Sequence, residues 1–403
     1  MTACTTLANG VRVLSRPLPG RRSASLGVWL RNGSRHEATG QDGYAHLLEH
    51  LLFHGGGRYA DQFEALGGHV NARTMRELTA FHGLVTGDRV GALARLFASL
   101  LLEPHLGAAE LAAELPAVWQ ERRMASMSLW DEQEVFALRR VWGGHPLARP
   151  ILGTGNRPRV TAAAMQEYCA ARLRGPAIWV VAAGDVRHDE LVESCRALEQ
   201  LPTGHHGELP PAEFMPCSLR GPAGGDGSDL LWLMPVPTLG EPAYPALLLA
   251  EQIAAGAPLS ARLQRELRER LGLAYAVESR LELYSDCGLW WLRVRCEPGL
   301  ESRCTMAVES VMEALIRHGP GREEVIRHLA QLQARWTLEE DDPECVMERI
   351  AHEIAYLDRV TALNERLARL AALGPDDIRG ALAEAWRQRA SFIWGSKAAR
   401  RAV

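Results

Sequence analysis

Within the run Gly43-Tyr44-Ala45-His46-Leu47-Leu48-Glu49-His50-Leu51-Leu52-Phe53, two imidazoles and a carboxylate fall inside five residues of an otherwise apolar segment. Residues four apart on a helix lie one above the other on the same face, so His46 and His50 can point at a common ion. Glu49 follows His46 by three residues and sits roughly 60° round from it on the same side. From there its carboxylate can hold and deprotonate a water at a metal, which is the work of a general base. The other reading of these residues is a pair of core histidines satisfied by a neighbouring acid. A five-residue pattern does not separate the two, and a second, independent feature is needed.

The flanks say which elements must hold this run. Leu47, Leu48, Leu51, Leu52 and Phe53 give a buried helix, Thr39-Gly40-Gln41-Asp42 offers its start, and Gly55-Gly56-Gly57 stops it. His54 stands where those glycines begin to fray the helix, and on that ground it is left out as a fourth ligand. Upstream, Asn9-Gly10 turns a hairpin into a strand, and Ser23 to Leu30 alternates as a second strand. Downstream come a short helix (Tyr59 to Leu66), two strands (His69 to Thr74 and Leu78 to Val85), and long helices over Asp88 to Leu102 and Ala108 to Met127. Glu114 and Glu121 on the last helix are seven apart and share a face. Such a pair reads either as a solvated acidic stripe or as carboxylates turned towards the histidine helix.

A chain of 403 residues is too long for one ordinary core and fits two to four domains. With 47% hydrophobic and 23% charged residues and a net charge of −4, it is globular and offers no electrostatic case for nucleic acid or an anionic membrane. The first residues lack a secretory signal pattern and no apolar run spans a membrane. The eight cysteines are scattered without a C-x-x-C pair, which fits reduced thiols and a cytoplasmic location. Turn-forming residues between Pro202 and Gly227 place a linker at 204–228, between an N-terminal domain 1–203 and a C-terminal domain 229–403. His205-His206 in that linker read as inert loop residues. The second half repeats the order of strands and helices of the first, so the fold class is α+β with an internal duplication of about 200 residues per copy. Only the first copy carries H-x-x-E-H.

H-x-x-E-H is the inverted zinc-binding motif, and together with Gly33-Ser34-Arg35 the run to Phe53 resembles the M16 family of inverzincins, which includes pitrilysin, insulin-degrading enzyme and mitochondrial processing peptidase. Further segments agree in order: Gly67-Gly68-His69-Val70-Asn71-Ala72-Arg73-Thr74 with Glu77 and Thr79, the pair Glu114 and Glu121, Pro150-Ile151-Leu152-Gly153, and Leu267-Arg268-Glu269 with Gly272-Leu273-Ala274-Tyr275. Phe81 departs from the family's usual tyrosine. The resemblance implies two duplicated α/β sandwich domains (LuxS/MPP-like), each a mixed sheet covered by helices. It further implies one Zn2+ per chain on His46, His50 and Glu121, with Glu49 activating the metal's water and Glu114 as an acid behind the ligands. Asn71 and Ala72 would receive a peptide on a sheet edge, and Arg268 and Tyr275 would touch it from the other domain. The activity so implied is that of a zinc metalloendopeptidase (EC 3.4.24 type) cleaving unstructured peptides, working as a homodimer or as a heterodimer with a related M16 chain. Two other readings stand beside it: a PqqF-like maturation peptidase for a ribosomally made precursor, and a non-catalytic partner subunit.

Overall fold

The computed structural model describes residues 2–54, 57, 59–154, 160–204, 207, 209–221, 226–257 and 259–396; the linker histidines His205 and His206 lie outside them. Strands β1 (Ala3–Thr6), β2 (Arg12–Pro17), β3 (Ser23–Leu30), β4 (His69–Thr74), β5 (Thr79–Thr86) and β6 (Ile178–Gly184) form one sheet in the order β1-β2-β6-β3-β5-β4. Strands β7 (Ser218–Arg220), β8 (Ser228–Val236), β9 (Ala274–Leu283), β10 (Gly288–Cys296) and β11 (Ala390–Trp394) form another, ordered β7-β11-β8-β10-β9. Apart from the extra edge strand β1, the two orders are the same pattern. In each, the closing strand inserts parallel to the first strand and antiparallel to the second. The duplication read from the sequence is therefore a duplication of topology, and each sheet is mixed.

Strand β6 is buried at every residue, which requires cover on both faces of its sheet. Its alternate residues enter two separate cores. Ile178, Val180 and Ala182 pack with Leu47, Leu48, Leu51, Phe97 and Met165 from helices in the first half of the chain. Trp179, Val181 and Ala183 pack with Val346, Met347, Ile350 and Ile354 of the helix Pro343–Leu357, far along the chain. Trp29 Nε1 donates to Met347 Sδ at 3.4 Å, and Arg73 pairs with Glu348 at 2.9 Å, fixing that helix at two further points.

The second sheet is served in the same way. One face holds Trp232, Met234, Trp290 and Leu292 against Leu249, Met312, Leu382 and Trp386. Over the other lies the helix Leu129–Trp142: Phe136 meets Phe392 and Trp394 at centroid distances of 6.2 and 6.1 Å, and Arg293 stacks over Trp130 at 3.7 Å. The compact units are accordingly residues 1–128, 144–210 and 338–360, and residues 129–143, 211–337 and 361–403. A contiguous division at 204–228 keeps these two helices with their sequence neighbours; the units group them with the sheets they cover. In the second unit, the helix that begins at Tyr244 passes at Gln252–Gly256 into a wider π turn, and Gln264–Arg270 is also π-helical. Cys169, Cys195, Cys296 and Cys304 are buried thiols, and Cys4 and Cys345 are exposed ones. Among the described residues, no helix is long and apolar enough to cross a membrane.

Candidate metal centre

The helix Tyr44–His54 starts on a buried acid well before it in sequence. Glu37, 3% exposed, accepts the Gly43 N–H on Oε2 at 3.1 Å and the Ala45 N–H on Oε1 at 2.9 Å, two of the donors that a helix start leaves unpaired. Burial pushes the Glu37 carboxyl up to about 8, against the pull of those two N–H groups. The turn Thr39 to Asp42 does not supply the cap, and Asp42 instead accepts from Thr154 Oγ1 at 3.1 Å. Gly43 has φ +87°, and a Cβ there would sit 3.1 Å from the Leu152 carbonyl oxygen, so glycine is required where the loop 150–153 crosses the helix start. From Tyr44 to Leu52 every residue is buried, the polar ones included.

Facing this helix is Ala108–Met127, which is anchored by only two buried residues, Leu111 and Val118. Glu114 and Glu121 each follow one of these anchors by three residues, which turns both carboxylates to the packed side. The Nε2 atoms of His46 and His50 lie 3.4 and 3.6 Å from Glu121 Oε2, and His50 Nδ1 lies 3.5 Å from Glu114 Oε2. The two imidazoles meet edge-on with centroids 4.6 Å apart. Of the alternatives open for the glutamate pair, the second holds: both carboxylates are turned towards the histidine helix, Glu114 largely covered and Glu121 still half exposed.

These residues fit a zinc-sized ion. A separation of 3.4 to 3.6 Å is longer than an ordinary N–H···O bond. It matches the edge of about 3.3–3.5 Å between neighbouring donors of a tetrahedron with metal–ligand distances of about 2.0–2.1 Å. The ligand atoms of His46, His50 and Glu121 all lie within 4.8 Å of one another. Burial, then the neighbouring His50, lowers His46 to about 4, so its imidazole is neutral, as a ligand must be.

Glu49 is 7% exposed, and Thr74 Oγ1 of β4 donates to its Oε2 at 2.9 Å. Burial raises its pKa above the ordinary carboxylate value; His50 and the Thr74 hydrogen bond pull the other way. Thr74 was visible in the sequence only as part of a motif, and Glu37 not at all as a cap. His54 belongs here too. The helix continues through it, and its ligand atom groups with those of His50 and Glu114, not with the His46 and Glu121 set.

Asn71 and Ala72 lie on β4, which among the described residues pairs with β5 alone and is the edge of its sheet. Asn71 is exposed and Ala72 half-buried. Arg268 and Tyr275 belong to the second unit, in the π-helical segment Gln264–Arg270 and in β9; both are exposed, and Arg295 lies over the Tyr275 ring at 5.3 Å. In the second unit, the helix Tyr244–Glu251 occupies the place of the histidine helix and carries Ala246, Leu249 and Ala250.

Solved structures similar to the chain include a protease from Helicobacter pylori (TM-score 0.91, 18% identity, covering 98% of this chain and 99% of that one) and a peptidase M16 inactive domain from Pseudomonas fluorescens (TM-score 0.89, 17% identity, covering 98% of each). At these identities they speak for the fold. Among similar sequences, an uncharacterized zinc protease of Streptomyces coelicolor is 27% identical over 96% of this chain and 88% of its own, and one of Mycobacterium tuberculosis is 32% identical over 78% and 75%. The mitochondrial-processing peptidase subunit beta of Bos taurus is 28% identical over 94% and 80%. Residues 12–155 match the family described as Insulinase (Peptidase family M16), and residues 159–332 match Peptidase M16 inactive domain. By fold, by its paired domains and by these sequence matches, the chain belongs to the M16 peptidase family.

Proposed function

We propose that this chain is a zinc-dependent endopeptidase that hydrolyses extended, unstructured peptides. The observation that carries the proposal is the convergence of His46 and His50 Nε2 on one Glu121 oxygen, beside a buried Glu49. His46, His50 and Glu121 would hold one Zn2+ per chain, which when bound would polarise a peptide carbonyl and acidify a water. Glu49 takes the proton of the attacking water and returns it to the leaving amine. Its Oε2 is held by Thr74, so Oε1 is the atom that accepts. The raised proton affinity that burial gives Glu49 suits it to this transfer near neutral pH. Glu114 Oε2, 3.5 Å from His50 Nδ1, would draw the ring's proton to that nitrogen when an ion is bound and leave Nε2 to face Glu121.

Asn71 and Ala72, on the exposed edge of β4, would pair with the main chain of the peptide as an added strand, which selects for extended chains over particular side chains. Arg268 and Tyr275 are proposed as further contacts to the peptide, and either can steady the developing oxyanion. One of the relatives is named as a subunit, and the working unit proposed here is a dimer, of this chain or with a related one.

The test is Glu49→Gln in the full chain, read by peptide cleavage and by metal analysis. Cleavage should fall by at least about 10²–10⁴-fold while zinc stays near one per chain. Retained cleavage would remove Glu49 from the mechanism. Absence of cleavage by the wild type loaded with zinc would instead favour the partner-subunit reading.

A further inference from the structure

We propose that His50 Nδ1, His54 and Glu114 form a second, weaker site for a divalent cation of the zinc class, filled at excess metal and slowing hydrolysis when filled. His50 presents its two nitrogens in different directions: Nε2 lies 3.6 Å from Glu121, while Nδ1 lies 3.5 Å from Glu114. His54, one turn further along the same helix, brings its ring to 5.4 Å from that of His50, and the ligand atoms of His50, His54 and Glu114 lie within 4.8 Å of one another. Nδ1 of His50 is buried and makes no hydrogen bond of ordinary length, on a residue 6% exposed. Its separation from Glu114 again matches a tetrahedral edge of about 3.3–3.5 Å. Two imidazoles and one carboxylate select zinc, cobalt, nickel or copper over magnesium or calcium, which prefer oxygen.

The inference rests on the first site only in sharing His50 with it. With one ion bound, Nδ1 keeps its proton and offers it to Glu114. A second ion displaces that proton to solvent and leaves His50 as an imidazolate between two cations. Loss of the proton, repulsion between the ions and the exposure of His54 all make the second site the weaker one. Its filling draws Glu114 away from orienting His50 and adds positive charge close to Glu49, which makes that carboxylate a poorer base.

The experiment is a titration of metal-free, full-length protein with Zn2+, read by equilibrium dialysis and metal analysis, with peptide cleavage followed in parallel. The wild type should bind two ions, the second at least about tenfold more weakly. Excess zinc should then slow its cleavage by at least roughly tenfold. His54→Ala, at an exposed helix end where the fold is not at stake, should bind a single ion with the first affinity unchanged and keep its rate in excess zinc. A single ion in the wild type, or a second ion that persists in His54→Ala, overturns the proposal. Failure of the wild type to bind any ion would overturn the first site as well, so the two readings fail differently.

Discussion

The helix Pro343–Leu357 should be needed for the unit that carries the metal centre to fold at all. Val346, Met347, Ile350 and Ile354 are each 4% exposed or less, and they cover Leu14, Trp29, Trp179 and Val181 on the face of the sheet opposite the histidine helix. Burying one such side chain is worth about 1.5–3 kcal/mol, so four come to roughly 6–12 kcal/mol. A whole domain has a net stability of about 5–15 kcal/mol. A chain ending at Pro210 holds every strand of the first sheet and every residue of the metal centre, yet it should not unfold cooperatively in urea, and it should expose two tryptophans to solvent. Fusing residues 338–360 to it should restore a cooperative transition and zinc binding. In the intact chain, Ile350→Ala should lower the stability of this unit by about 2–5 kcal/mol, since a fully buried branched side chain is replaced by a methyl group. Residues 1–210 that melt alone with the midpoint of the intact unit, or an Ile350→Ala loss below about 0.5 kcal/mol, would refute the reasoning.

Three further outcomes follow from single contacts. Thr74→Val removes the donor on Glu49 Oε2 and should lower kcat by about tenfold with KM and zinc content unchanged, Thr74→Ser restoring most of it; an unchanged kcat counts against a positioning role. Glu77→Ala takes the carboxylate 2.6 Å from a guanidinium that is fully buried at Arg35, and should cost about 3–5 kcal/mol in a urea melt. Glu37 has its pKa lifted by burial from 4.5 to about 8 on folding, so the folded state takes up a proton between those values. Its favourable contribution is full below pH 4.5 and is lost as the pH rises through 8. Wild-type stability measured relative to Glu37→Gln should therefore fall from pH 5 to pH 8.5, and a flat difference would contradict the assignment.

What could be read in the sequence is what has a local cause. The i, i+4 spacing of His46 and His50 puts both on one face of any helix, and the leucines around them announce burial, so the helix and the pairing of its two imidazoles were legible together. Glu114 and Glu121 were ambiguous because their helix is anchored only at Leu111 and Val118 and otherwise reads as a solvated one. The cap at Glu37 was hidden because three nearer residues, Thr39, Gln41 and Asp42, offer the same chemistry, and only the loop path brings Glu37 back to Gly43 and Ala45. His54 is left out as a fourth ligand because glycines follow it; the helix in fact runs through His54, which groups with His50 and Glu114 and not with the His46 and Glu121 set. The continuous apolar run Ile178 to Gly184 does announce a strand covered on both faces. Nothing local to it names Pro343–Leu357 as the cover, because that pairing joins residues some hundred and sixty positions apart.

The two copies of the fold give a further argument about the metal centre. The same strand order and the same helix position recur in the second unit, where Ala246, Leu249 and Ala250 stand in a helix buried like the first. Apolar residues there need no partner, whereas burying an imidazole or a carboxylate without full compensation costs of the order of kilocalories. One acid, Glu251, is buried in that helix, and it is satisfied by Ser279 at 2.5 Å and Gln252 at 2.7 Å. His46 and His50, by contrast, keep buried Nδ1 atoms without an ordinary hydrogen bond. The scaffold evidently does not require polar residues at these positions, since it forms in the second unit without them. The Nε2 atoms of the same two rings converge on Glu121 at 3.4 and 3.6 Å, and an ion held there would offset part of the cost of burying two imidazoles side by side. Replacing His46 and His50 with alanine in the metal-free chain should therefore leave its stability unchanged or raise it. Added zinc should raise the melting temperature of the wild type and leave that of the double variant where it was.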